Sequence, residues 1–122
     1  MQLNADEKFM DLLFDEHLER RGNVVLVCRN HQRADYLLTC LMRQHEPTSA
    51  KRHRVQYGPY SILSMTISDT HIPYGFKCVV IFDHGFETPF AGHEYHKYRR
   101  IMEWGEHTTR SEMIRRHKEK YG

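Results

Sequence analysis

Asp83 is the residue whose position most suggests chemistry, because it directly follows the apolar run "CVVIF" at residues 78–82. A carboxylate at the carboxyl end of a buried strand lies where open α/β sheets bind ligands, and it can hold Mg²⁺. Hydrolytic sites of this type usually have glutamate as the next residue, whereas this chain has His84. The sequence alone leaves two interpretations of Asp83 open, a metal ligand or a turn residue.

The histidines offer a second route to metal chemistry. The chain contains ten of them. His93 and His96 are three residues apart, which places them on one face of a predicted helix. With Asp83 and His84 they could ligate zinc or another metal. The HExxH signature is absent, and ordinary surface histidines are the alternative.

The turn "RNHQR" at residues 29–33 could bind an anion, because it joins the apolar run "NVVLVC" to a predicted helix. The first backbone N–H groups of a helix attract anions, and Arg29 and Arg33 would add donors for a phosphate. The alternative is that these polar side chains only cap the helix. The GxxxxGK[ST] loop that cradles nucleotide phosphates is missing from the chain.

Arginines and aromatic residues are interleaved in the last third of the chain. Aromatic faces beside arginines can stack bases and bind phosphates, and the same residue types dominate protein–protein hot spots. A solvated basic surface is the third interpretation. The candidate residues for nucleic-acid or partner binding are Arg29, Arg33, Arg52, Arg54, Arg99, Arg100, Trp104, Arg115 and Arg116.

The hydrophobic pattern predicts elements in the order α-β-α-β-β-β-α-α. The β-branched runs at 23–28 and 76–82 predict adjacent parallel strands covered on both faces. A β-hairpin is predicted around Gly58-Pro59, and "HEPTSAKRH" at 45–53 is interpreted as a loop. The expected fold is a small three-layer α/β sandwich, mostly parallel, with an inserted hairpin and flanking helices.

Helices are also predicted towards both ends of the chain. An amphipathic helix falls within residues 1–22, and another lies near 93–104. "GEHTTRSE" ends that second helix, and Thr108 or Thr109 can cap a basic C-terminal helix within 105–122. This last helix has few large apolar residues, so we expect it to add little to the core and to be available to a partner.

Composition points to one α/β domain spanning all 122 residues, with 28% charged and 39% hydrophobic residues. No apolar run approaches the ~20 residues that span a bilayer, so no membrane partner is expected. Three cysteines without a CxxC pair indicate reduced core residues in a cytoplasmic protein that needs no cofactor. Charge is segregated: residues 1–20 carry −4, residues 29–54 carry +4 and residues 91–122 carry +3.

The order of these features resembles the core of RecA-like P-loop NTPases, in particular phage terminase large subunits and helicases. "VVLVCRNHQRADYLLTCLM" is similar to the strand and helix of their post-Walker-A motif, and "VQYGPYSILSMTISD" to the hairpin that follows. "IPYGFKCVVIFDHG" is similar to their Walker B stretch, with Gly75 and Asp83 at the matching positions. The resemblance covers about residues 23–85.

The departures from that family bear on function. The Walker A loop and its lysine are missing, and His84 stands where the catalytic glutamate is expected. The resemblance therefore implies a degenerate, P-loop-less relative, because ATP hydrolysis without phosphate-cradling amides loses most of its electrostatic stabilisation.

Three functions follow as hypotheses. The first is a non-enzymatic binding or regulatory module, a small phage-type protein that binds a protein of nucleic-acid or defence machinery. The second is direct nucleic-acid binding through the arginines of residues 29–54, Lys51 and the C-terminal helix. The third is a small metal-dependent hydrolase or nuclease that uses Asp83 and the nearby histidines.

The missing Walker A motif predicts that the protein neither hydrolyses ATP nor binds it tightly. Titration calorimetry and a phosphate-release assay check this. Micromolar ATP binding, or turnover that Asp83→Ala abolishes, would contradict it.

Overall fold

One six-stranded sheet organises the computed structural model, which describes residues 2–19, 22–66, 77–84, 103 and 106–121. The strand order is β2-β3-β4-β1-β5-β6. β1 pairs in parallel with β4 and β5, and β5 pairs in parallel with β6, while β2 and β3 extend the sheet antiparallel to β4. The strands are β1 (Asn23–Cys28), β2 (Ser49–Lys51), β3 (Arg54–Tyr57), β4 (Tyr60–Thr66), β5 (Cys78–Phe82) and β6 (Glu106–Thr109).

The helices begin at polar caps that the sequence provides. α1 (Ala5–Leu13) starts with a capping box between Asn4 and Glu7, and a π-helical segment (Phe14–Leu18) continues it. α2 (His31–Gln44) starts at Asn30, whose side chain accepts a hydrogen bond from the Arg33 backbone N–H. α3 (Arg110–Tyr121) starts after Thr109, whose hydroxyl accepts from the Glu112 N–H at 3.1 Å. This confirms one of the two predicted caps.

β1 is the central strand, and both of its faces are buried. Val24, Leu26 and Cys28 share a core with residues of α1, α2 and α3, whereas Val25 and Val27 are equally buried outside that cluster. β1 lies directly between β4 and β5. The prediction that the two apolar runs form adjacent, parallel, doubly covered strands is confirmed, and so is the predicted α/β fold class.

The predicted hairpin is also present, as β3 and β4 joined at Gly58-Pro59. Gly58 has a φ of 63°, a conformation that favours glycine at this turn. The predicted loop at 45–53 is partly wrong, because Ser49–Lys51 forms β2. The interpretation of "GEHTTRSE" as only a break is also wrong, because Glu106–Thr109 forms β6 on the edge of the parallel sheet.

The C-terminal helix contributes more than its composition suggested. Met113 belongs to the main core and is 3% exposed, and Arg110 is 7% exposed. Its first turn is therefore structural, whereas its last turn is exposed. Of the predicted helix near 93–104, every residue except Glu103 lies outside the described residues, and Glu103 is in a turn. Among the helices of the described ranges, none is long and apolar enough to cross a membrane.

The doubly buried strands give the first structural prediction. Val25→Asp or Val80→Asp should prevent folding, because each places an unpaired carboxylate in a core with no partner. That cost of several kcal/mol is comparable with the ~5–15 kcal/mol stability of a typical domain.

Ala50→Asp on the exposed strand β2 is the matched control and should unfold cooperatively at nearly the wild-type temperature. Circular dichroism melts measure both. Soluble Val25→Asp protein that melts cooperatively near the wild-type temperature would contradict the assignment.

Candidate functional site

Asp83 is buried between two arginines at the carboxyl ends of the parallel strands. Its side chain is 1% exposed. One oxygen, Oδ2, accepts from Nε of Arg33 at 2.7 Å. The other, Oδ1, accepts from Nη2 of Arg33 at 3.3 Å and from Nη1 of Arg110 at 3.2 Å. Both carboxylate oxygens are thus occupied by cationic donors.

A second carboxylate, Asp6 in the first turn of α1, completes this arrangement. Arg33 donates to both of its oxygens, at 2.7 and 2.9 Å, and Arg110 donates to Oδ1 at 2.7 Å. The Arg110 guanidinium also lies over the Phe9 ring, 4.7 Å from its centroid. Asp6, Arg33, Asp83 and Arg110 form a closed carboxylate–arginine cluster that joins three helices to the end of β5.

Charge pairing sets the electrostatics of the cluster. Hydrogen bonds from Arg33, reinforced by Arg110, lower the pKa of Asp6 to about 2 although partial burial opposes this. The carboxylates of Asp6 and Asp83 raise the pKa of Arg33. Two positive and two negative charges compensate each other, which a buried charge requires.

This geometry bears directly on the metal and hydrolase hypotheses. A divalent cation at Asp83 would have to displace a guanidinium from each oxygen it used. His84 is exposed rather than turned into the cluster. His93 and His96 lie outside the described residues. Among residues that the structure describes, no group of three or more histidine, cysteine or acidic side chains could hold a metal ion.

The cysteines do not supply a nucleophile. Cys28 and Cys40 are buried, Cys78 is half-buried, and all three are free thiols. Burial raises the pKa of each thiol. A thiolate is the reactive form, so a raised pKa makes each thiol less reactive, and Cys28 and Cys40 pack in the core.

A second feature of the same sheet edge is positively charged. Arg29 follows β1, Lys51 ends β2, Arg52 lies in the β2–β3 turn and Arg54 begins β3. All four side chains are exposed, and none forms an ion pair with any carboxylate of the described residues. These four residues are called the basic edge below.

Contacts between the turn and α2 hold the basic edge together. The rings of His31 in α2 and His53 in the turn are 5.2 Å apart. The carbonyl of His53 accepts from the backbone N–H of Ser64 in β4 at 2.9 Å. A cleft of about 250 Å³ between α2 and the turn is lined by Lys51 and Arg52 and by the carboxylate of Asp35.

The other predicted binding residues are distributed differently. Arg33 lies inside the carboxylate–arginine cluster. Arg115 pairs with Glu112 and Glu119, and Arg116 pairs with Glu112, all on the exposed face of α3. Arg99, Arg100 and Trp104 lie outside the described residues. Of the nine candidates, Arg52 and Arg54 lie together at the β2–β3 turn, and Arg29 lies beyond the end of β1, two strands away in the sheet.

Sequence reasoning missed Asp6 and Arg110 as members of the cluster. The available signal was the charge segregation, because the acidic N-terminal segment and the basic segments attract each other inside the chain. Asp11 of α1 likewise pairs with His45 after α2, with 2.8 Å between Oδ1 and Nε2. Part of the charge difference between the segments is therefore neutralised inside the protein.

The lowered pKa of Asp6 generates a stability prediction. Because the folded-state pKa of about 2 is below the usual value of 3.8, the contribution of Asp6 is complete above about pH 4 and is lost as pH falls towards 2. Asp6→Asn should reduce the free energy of unfolding by about 1–2 kcal/mol at pH 6, and by about half as much at pH 3. Urea unfolding at several pH values measures this.

Asp15→Asn is the control, since Asp15 is an exposed carboxylate close to α1 without an ion pair among the described residues. It removes the same charge and should leave the free energy of unfolding unchanged at both pH values. An Asp6→Asn difference that stays constant from pH 6 to pH 3 would refute the linkage.

Comparisons with protein-family models, curated protein sequences and solved structures found no match to this chain. The resemblance to RecA-like P-loop NTPases therefore stays a prediction that rests on the order and spacing of its motifs.

Proposed function

We propose that this chain is a non-enzymatic binding module that acts on a component of nucleic-acid machinery through its basic edge. The observation that carries the proposal is the division of one sheet edge into two parts. In one part, every charge is matched within the carboxylate–arginine cluster. In the other, Arg29, Lys51, Arg52 and Arg54 are exposed without carboxylate partners in the described residues.

The occupied carboxylate supports the non-enzymatic part of the proposal. Asp83 holds the position of a catalytic or metal-binding acid, but both of its oxygens accept from arginines. A general base or metal ligand needs a lone pair directed at the reacting group or the ion. Here the lone pairs stabilise the fold.

The unpaired cations support the binding part. Exposed charges of one sign on neighbouring elements create a local potential that attracts an anionic surface. The carboxyl edge of an α/β sheet is also the edge at which such folds bind ligands. An acidic face of a protein partner and the phosphates of a nucleic acid both satisfy this chemistry.

The wider context of the proposal is a phage-type regulatory protein in a reducing compartment such as the cytoplasm. Three free cysteines support that compartment. Direct nucleic-acid binding is the second candidate function, and the unpaired cations of the basic edge are the observation that favours it.

Affinity capture with the tagged full chain tests the proposed binding surface. A fourfold variant replaces Arg29, Lys51, Arg52 and Arg54 with glutamine. Wild-type protein should retain a component from a host-cell extract, in parallel samples with and without nuclease digestion, and the fourfold variant should lose it. The exposure of the four side chains predicts that the variant folds normally.

Arg43→Gln is the matched control, since Arg43 is an exposed arginine in the last turn of α2, at the opposite end of that helix from Arg29. It should retain the same component as the wild type. If the fourfold variant retains it equally, or if no protein or nucleic acid is retained by the wild type, the proposal is wrong.

A further inference from the structure

We infer that the basic edge binds the phosphate backbone of nucleic acid, in a manner independent of base sequence. The inference rests on the proposed function, because it names the class of ligand for that same surface. Three features favour phosphates over an acidic protein surface: the spacing of the cations, a repulsive pair within them, and the type of side chains around them.

The spacing of the cations matches a run of phosphates. Arg29 follows β1 and Lys51 ends β2, and these strands are separated in the sheet by β4 and β3. Three interstrand steps of about 4.8 Å separate them across the sheet. Lys51 is level with Arg54, Leu63 and Val25, four residues before Arg29, which adds about 13 Å along the strands and gives a span of about 20 Å. One strand of a duplex places a phosphate about every 3.4 Å along its axis, so a surface of this length is long enough for each of its four cations to contact a phosphate.

A repulsive contact lies at the centre of this surface. Lys51 and Arg54 are directly opposite each other in the β2–β3 ladder, a position in which like charges destabilise the pair. The turn between them, Arg52-His53, has no positive φ angle and lacks the asparagine and glycine that favour two-residue hairpin turns. The four-residue segment thus concentrates three cations at a local cost, which a bound phosphate would offset.

The side chains around the edge suit a phosphate backbone better than a protein interface. The exposed large apolar residues among the described positions are Leu3, Tyr36 and Tyr121. None of them lies on β1 to β4 or on the β2–β3 turn. Protein hot spots need a buried aromatic or aliphatic anchor, and single-strand binding needs aromatic faces for stacking. The aromatic rings that the structure describes at this surface, those of His31 and His53, lie against each other with centroids 5.2 Å apart. Among the described residues, the exposed cations are therefore the groups that suit contact with phosphates.

One carboxylate opposes the ligand. Asp35 lines the cleft that Lys51 and Arg52 also line, so it reduces the potential that a phosphate meets. Removing its charge should strengthen binding, whereas removing a cation should weaken it. Opposite changes in affinity would show that binding depends on the charge of the surface. A loss of affinity in both variants would indicate instead that any mutation there disturbs binding.

Fluorescence anisotropy with a labelled DNA duplex of about 20 base pairs, two helical turns, tests the inference. Four phosphate contacts predict a slope of log K against log salt of about −3 to −4, which is a roughly 100-fold loss of affinity from about 50 to 200 mM salt. Arg52→Gln should make the slope less steep by about one, and the fourfold variant should lose most of its affinity for the duplex. Asp35→Asn should bind more tightly, and Arg43→Gln should match the wild type.

The outcomes separate the two proposals. A single strand of the same sequence should bind no more tightly than the duplex. The only aromatic rings that the structure describes at the basic edge, His31 and His53, lie against each other, and a single strand has a lower charge density. The absence of duplex binding at low salt, a slope near zero, or equal binding by the fourfold variant would overturn the inference. If a nuclease-resistant protein partner is still captured through the basic edge, the proposed function stands and the ligand is that protein.

Discussion

The burial of one carboxylate, that of Asp83, constrains much of this fold. A buried charge without a partner costs several kcal/mol, so the chain has to bring cations to the end of β5. Arg33 and Arg110 meet that need from α2 and α3, and Asp6 of α1 then balances their excess charge. Three helices are thereby fixed relative to one strand end, and their apolar faces cover the same side of the sheet.

The elements with strong local signals could be predicted from the sequence. β1 and β5 are continuous apolar runs, Gly58-Pro59 marks a turn, and Thr109 is a recognisable cap. β2 and β6 could not be predicted in this way, because β2 is three exposed residues and β6 is "EHTT", of which no residue is fully buried. Such strands form because a neighbouring strand offers unpaired backbone groups, which is a property of the assembled sheet.

The candidate site was predictable only in part, for a related reason. The position of Asp83 after a buried strand was readable, but its partners are 50 and 27 residues away, and Asp6 and Arg110 are 104 residues apart. No local sequence pattern predicts a contact between residues so far apart in the chain. The opposite net charges of the N-terminal segment and the basic segments indicated that ion pairs could form between them, but not which residues would pair. Segment charge does not distinguish arginines that form ion pairs inside the molecule, such as Arg33, from arginines that stay exposed at the surface, such as Arg52.

The parallel pairing of β6 with β5 has a consequence for the order in which the protein assembles. At a synthesis rate of about 5–20 residues per second, Arg110 is made about 1–5 s after Asp83. During that interval β5 can pair with β1 on one side only, and its other side is an open apolar edge of the kind that promotes aggregation. Asp83 has one of its two cations over the same period. The arrival of β6 and the first turn of α3 closes the edge and completes the charge balance together, so the synthesis of residues 106–113 is the step that protects β5 of a nascent chain from pairing with its neighbours.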